Sequence, residues 1–98
     1  MDKHQIKAKI LAHEDYLKAS GIRHLTLFGS KARGDDTAES DVDLLADYDR
    51  NRRLTLFDKA GLEVELASVL MAPVDLCDRA MLEGYVRLRA EREAVLVF

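Results

Sequence analysis

The chain has one cysteine, Cys77, which excludes an intramolecular disulfide, and one proline, Pro73. No apolar run approaches the roughly 20 residues that a membrane span needs. An excess of positive charge is also missing: 15 Lys and Arg stand against 18 Asp and Glu, giving a net charge of −3. The broad positive field of a nucleic-acid binder is therefore absent, and a long RNA or DNA acceptor is disfavoured. No repeat or low-complexity segment interrupts the chain, and Met1 to His13 is charged throughout, so no signal peptide is expected and a cytoplasmic location is. What is present is 98 residues of which 48% are hydrophobic, enough for one packed core and a single domain over residues 1–98.

The periodicity predicts helices alternating with strands. A first helix is expected from about Asp2 to Ala19, with Ile6, Ile10, Leu11 and Leu17 on its apolar side and Ser20-Gly21 as its C-terminal cap. A strand containing Leu25-Thr26-Leu27-Phe28 follows, then a turn, then a strand over Asp41–Asp47. Asp49 to Arg53 reads as a polar loop, and a helix starts near Thr55, with Leu62, Leu66, Val69 and Leu70 as its buried stripe. Pro73 separates that helix from a short strand, Val74-Asp75-Leu76. A last helix from about Asp78 to Glu91 and a strand over Ala94–Phe98 close the chain. The class expected is α/β of the α+β kind, a mixed sheet with helices packed on one side.

The chemistry concentrates between Gly29 and Asp43. Gly29-Ser30 falls where the first strand stops and the backbone must turn sharply, a position that suits glycine. If Ser30 to Arg33 begin a helical turn, their N–H groups and the Ser30 hydroxyl offer an anion site of phosphate size. Asp41 and Asp43 alternate with Val42 and Leu44, so on a strand the carboxylates share one face while their neighbours anchor the other. Adjacent carboxylates repel, which favours a shared proton or a bound cation, and an all-oxygen site suits Mg²⁺ with substrate phosphates.

Two metal ions placed for in-line displacement need a third oxygen ligand. Asp75, alone between apolar neighbours on the strand after Pro73, is the favoured candidate. Glu63 and Glu65 are the rivals, but the helical stripe around them leaves both off its buried face.

These residues resemble the minimal nucleotidyltransferases of the polymerase-beta-like nucleotidyltransferase superfamily. The family pattern is a hydrophobic strand, Gly-Ser, a basic segment ending in Arg-Gly, a spacer, Ser-Asp-x-Asp-Leu and a later acidic strand residue. Here it is met by Leu27-Phe28-Gly29-Ser30, Ala32-Arg33-Gly34, Ser40-Asp41-Val42-Asp43-Leu44 and Val74-Asp75-Leu76. The resemblance implies Asp41, Asp43 and Asp75 as catalytic carboxylates and metal ligands, with two Mg²⁺ ions, and Gly29, Ser30, Lys31, Arg33 and Ser40 as nucleotide-binding residues. Lys31 departs from the common arginine, keeping charge but losing two-pronged phosphate contact. It further implies ATP as substrate, a HEPN-type toxin protein as partner in a hetero-oligomer, and transfer of AMP to a tyrosine of that toxin by an antitoxin. The alternative is an antitoxin that neutralises by binding alone; a third reading is an isolated small-molecule nucleotidyltransferase.

Simpler roles stand beside these. Arg33 could pair with Asp35 or Asp36 at the surface, Lys31 could be solvated, and Ser40 could be a turn former. Asp35, Asp36 and Glu39 are expected in an exposed loop, and Cys77 as a small buried thiol. His4, His13 and His24 lack metal-ligand spacing. The cluster Arg50, Arg52 and Arg53 reads as solvated loop. Arg79, Arg87, Arg89 and Arg92, interleaved with Glu83, Glu91 and Glu93, read as an ordinary exposed helix face.

Overall fold

A computed structural model of the chain describes residues 1–35 and 40–98. The elements are α1 (Lys3–Leu11), α2 (Glu14–Ala19), β1 (Ile22–Phe28), α3 (Gly29–Arg33), β2 (Val42–Tyr48), α4 (Leu56–Leu70), β3 (Val74–Asp78), a 3-10 turn (Arg79–Met81), α5 (Gly84–Glu93) and β4 (Val95–Leu96). The strands form one mixed sheet in the order β3-β2-β1-β4, with β2 and β3 parallel and the other pairs antiparallel.

Alternation decides what each sheet face carries. Leu25 and Leu27 of β1 and Val42, Leu44 and Ala46 of β2 are fully buried on one face. Ile6, Ile10 and Leu17 from α1 and α2, and Leu62, Leu66 and Leu70 from α4, close over them as one core. Leu62, Leu66 and Leu70 of the expected α4 stripe thus pack as their i, i+4, i+8 spacing requires, whereas Val69 is only half-buried and outside this core. Thr55 begins that helix with a reciprocal cap, its hydroxyl accepting from the Asp58 N–H while the Asp58 carboxylate accepts from the Thr55 N–H. The opposite face presents Thr26 and Phe28 of β1, Asp43, Leu45 and Asp47 of β2, and Asp75 and Cys77 of β3, a set fixed by the pairings Phe28 with Asp43, Thr26 with Leu45, Asp43 with Asp75 and Leu45 with Cys77.

Three sequence expectations change. The first helix is broken at Ala12–His13, where His13 leaves helical geometry (φ −114°, ψ 17°), and Leu11 is exposed instead of packed. The last helix does not begin at Asp78. Its carboxylate accepts the Ala80 N–H and starts the 3-10 turn, after which Leu82 and Glu83 are extended and the α-helix begins only at Gly84. Arg79 is therefore on no helix face: its side chain is 17% exposed and its guanidinium donates to Asp47 (3.0 Å), Thr26 (2.9 Å) and Glu91 (2.8 Å). It ties β1, β2 and α5 together across the face opposite the core. Of the predicted surface loop, Asp35 is exposed, and Asp36 and Glu39 lie outside the described residues.

Candidate active site

The turn after β1 is shaped by one close approach. Gly29 has φ +74°, and a Cβ built there would stand 2.4 Å from Oδ2 and 3.2 Å from Cγ of Asp43. A side chain at this position would occupy the space of the carboxylate, so glycine is required both for the backbone conformation and for the contact. Gly29 opens α3, Ser30 follows half-buried, and Gly34 closes the short helix in the left-handed region at φ +83°.

Asp43 is the electrostatic centre. It sits opposite Phe28 on one side and in register with Asp75 on the other. Its carboxyl is held above the usual range, first by burial, then by the charge of Asp75 and then of Asp41, with Arg33 opposing. The three carboxylates thus act on one region of space. Asp41 is exposed and lies one residue before β2, not within it; Asp75 is exposed on the edge strand. Among the described residues no three His, Cys, Asp or Glu side chains are close enough to hold a metal ion together. The donor chemistry nevertheless fits a hard cation: Asp43, Asp41 and Asp75 supply only oxygen, and their mutual repulsion is relieved by positive charge.

The supporting residues fall out differently from their sequence readings. Arg33 donates to Asp35 at 3.0 Å and to Glu93 of α5 at 2.7 Å, which hold the guanidinium protonated. Surface pairing with Asp35 is thus present, and Glu93 is a partner that sequence spacing could not reveal. Lys31 is 7% exposed and so is not the solvated charge that composition suggested. Ser40 is half-buried just before Asp41. Glu63 accepts the Leu76 N–H at 2.9 Å, which employs this rival carboxylate in sealing the edge of β3. Cys77 is only half-buried and its thiol donates to Asp75 Oδ1 at 3.8 Å; burial, then the charges of Asp75 and Asp43, push it up to about 11, so it stays a thiol. A cleft of about 570 Å³ between α2 and α4, lined by Tyr16, Arg52, Phe57 and Gly61, holds none of these carboxylates.

Comparison with known proteins bears on this arrangement. The family model described as Polymerase beta, Nucleotidyltransferase matches residues 9–98. Protein adenylyltransferase MntA of Thermococcus cleftensis is 33% identical over 94 residues, covering 95% of this chain and 93% of that protein. A solved structure, provisionally described as a minimal nucleotidyltransferase, superposes with a TM-score of 0.81 at 33% identity over 97% of this chain and 95% of the other. A chain from the complex of a tri-AMPylated Shewanella oneidensis HEPN toxin with an MNT antitoxin shares the fold, with a TM-score of 0.69 at 20% identity over 97% of this chain and 71% of that one. With a family model spanning nearly all of the described sheet and site, this chain belongs to the polymerase beta nucleotidyltransferase family.

Proposed function

We propose that this domain, residues 1–98, is a Mg²⁺-dependent protein adenylyltransferase that moves AMP from ATP to a tyrosine hydroxyl of a HEPN-type partner, acting as that partner's antitoxin in the cytoplasm. The observation that carries the reading is the half-buried Asp43 against the Gly29 turn, in register with Asp75 and acted on by the charges of Asp75 and Asp41. The adenylyltransferase name of the 33% identical relative supports the group transferred.

Asp41, Asp43 and Asp75 would hold Mg²⁺, which when bound neutralises charge on the nucleotide phosphates. Gly29 and Ser30 bind the β and γ phosphates through backbone N–H groups and the Ser30 hydroxyl, at the turn where Gly29 lets the backbone approach Asp43 without a side chain between them. Arg33, already protonated beside Asp35 and Glu93, supplies a fork of donors toward phosphate oxygen, with Lys31 and Ser40 completing the nucleotide-binding set. Asp75, exposed at the sheet edge, accepts the proton of the tyrosine hydroxyl as its oxygen attacks the α-phosphorus; the bond to the β-phosphate oxygen breaks and pyrophosphate leaves.

The test is incubation of the protein with α-labelled ATP, Mg²⁺ and the purified HEPN-type protein of the same organism. Label on a tyrosine of that protein, with pyrophosphate released in equal amount, is the expected result. Neutralisation of the partner without any label, under every nucleotide, sinks the enzyme reading in favour of binding alone.

A further inference from the structure

Glu91 and Glu93 of α5 are engaged in ion pairs while its large apolar side chains face water. Glu91 accepts from Arg79 and Arg87, and Glu93 accepts from Arg33. Ala90 is the buried residue of the helix, whereas Tyr85 is 78% exposed and Leu88 60% exposed. Together with Arg89, Arg92 and Glu93 they line a groove of about 310 Å³, and among the described residues only Glu93 of its charges is paired, through Arg33. Neither Arg89 nor Arg92 makes an ion pair among the described residues. An apolar stripe edged by two unspent positive charges, on a helix held down by ion pairs more than by packing, is the wrong polarity for a solvated helix face.

From this geometry we infer that the Tyr85–Leu88–Arg89–Arg92 face of α5 is the docking surface for the protein acceptor, whose matching patch is an apolar anchor ringed by Asp and Glu. The inference rests on the adenylyltransferase reading above and adds where the acceptor sits. Position supports it: Glu93, at one end of the groove, is bonded to Arg33, whose charge acts on Asp43, so the groove opens toward the Asp43 side of the molecule. Charge selects the occupant. Arg89 and Arg92 are both without an ion pair among the described residues, and an acidic rim on the acceptor pairs with both.

The experiment compares the wild-type chain with Leu88→Glu, Leu88→Ala and the double variant Arg89→Glu/Arg92→Glu, all at exposed positions, using the purified HEPN-type protein as probe. Affinity is measured by calorimetry without nucleotide, and transfer by steady-state kinetics with Mg-ATP. The expected result is a Kd and an acceptor KM raised about tenfold or more by Leu88→Glu and by the charge reversal, and less by Leu88→Ala, with Mg-ATP affinity and kcat at saturating acceptor unchanged. Transfer with an unchanged acceptor KM overturns the docking surface and leaves the adenylyltransferase reading standing. Weakened complex formation without any transfer by the wild type supports the surface and overturns the transfer reading. A self-association of the chain that Leu88→Glu abolishes assigns the face to a second copy and overturns the inference.

Discussion

Replacing Gly29 by alanine tests how the site is built, because Gly34 provides an internal control. Both residues lie in the left-handed region, at φ +74° and +83°, but a Cβ at Gly34 meets nothing within 4 Å among the described residues while one at Gly29 meets Asp43. Gly34→Ala therefore reports the backbone cost alone, about 1–2 kcal/mol for an L residue in that region. Gly29→Ala adds a contact that rotation about χ2 does not clear, so Asp43 must leave its χ1 rotamer or the backbone must shift. Turning the carboxylate about χ2 moves Oδ2 away from 2.4 Å yet leaves Cγ at 3.2 Å. Displacing a packed group of this kind costs about 1–3 kcal/mol more. For a domain of this size each kcal/mol lowers Tm by about 4–8 °C, so Gly29→Ala should melt well below Gly34→Ala. In an Asp43→Ala background the remaining Cβ stands at 3.4 Å, an ordinary contact, and Gly29→Ala should then cost no more than Gly34→Ala. The assay is thermal and urea unfolding of the four proteins in a double-mutant cycle, with an expected coupling of about 1–3 kcal/mol between positions 29 and 43. A coupling near zero would refute the claim that the turn and the carboxylate are fitted to each other.

Other consequences follow from the same coordinates. Asp43→Asn removes a half-buried charge that faces Asp75 in register and is repelled by Asp41, so it should stabilise the isolated protein in urea unfolding by no more than about 1 kcal/mol after solvent screening, while transfer slows. Arg79→Met strips Thr26 and Asp47 of their donor and releases Glu91 of α5 from the sheet; a loss of about 1–3 kcal/mol is expected in urea unfolding, with faster amide exchange over residues 84–93 than in the wild type. Tyr48 is pushed up to about 12, first by burial and then by the charges of Asp78 and Glu63. Because the folded state keeps this proton longer than the unfolded chain, its contribution to stability is present below pH 10 and is lost as pH rises through about 12; ultraviolet titration should show a late phenolate step that Tyr48→Phe removes.

The parts of this molecule that were legible in the sequence are those with local periodicity. Alternation of Asp41 and Asp43 with Val42 and Leu44 assigned the two faces of β2, and the 3.6-residue spacing of Leu62, Leu66 and Leu70 assigned the buried side of α4. Pro73 marked the start of the strand that sets Asp75 beside Asp43. What was not legible depends on contacts between distant residues. Nothing around Arg79 in the chain signals that it bridges Thr26, Asp47 and Glu91, since those partners are 53, 32 and 12 residues away. The same holds for Glu93, which reaches Arg33 across 60 residues. The start of α5 was misplaced because Asp78 caps a 3-10 turn with the same local bond that opens an α-helix, and the chain then leaves helical geometry at Leu82. The apolar residues Tyr85 and Leu88 have helical spacing whether they face a core or a partner, so periodicity alone could not say that they face outward.

The central claim is that Asp43, with Asp41 and Asp75, forms the reacting centre of a nucleotidyl transfer. It is tested most directly by single-turnover transfer of α-label from ATP to the HEPN-type protein, comparing the wild type with Asp43→Asn at acceptor concentrations that saturate the complex. The account predicts that Asp43→Asn binds the partner as tightly as the wild type and transfers label more slowly by about a hundredfold or more. Transfer by Asp43→Asn at the wild-type rate would contradict it.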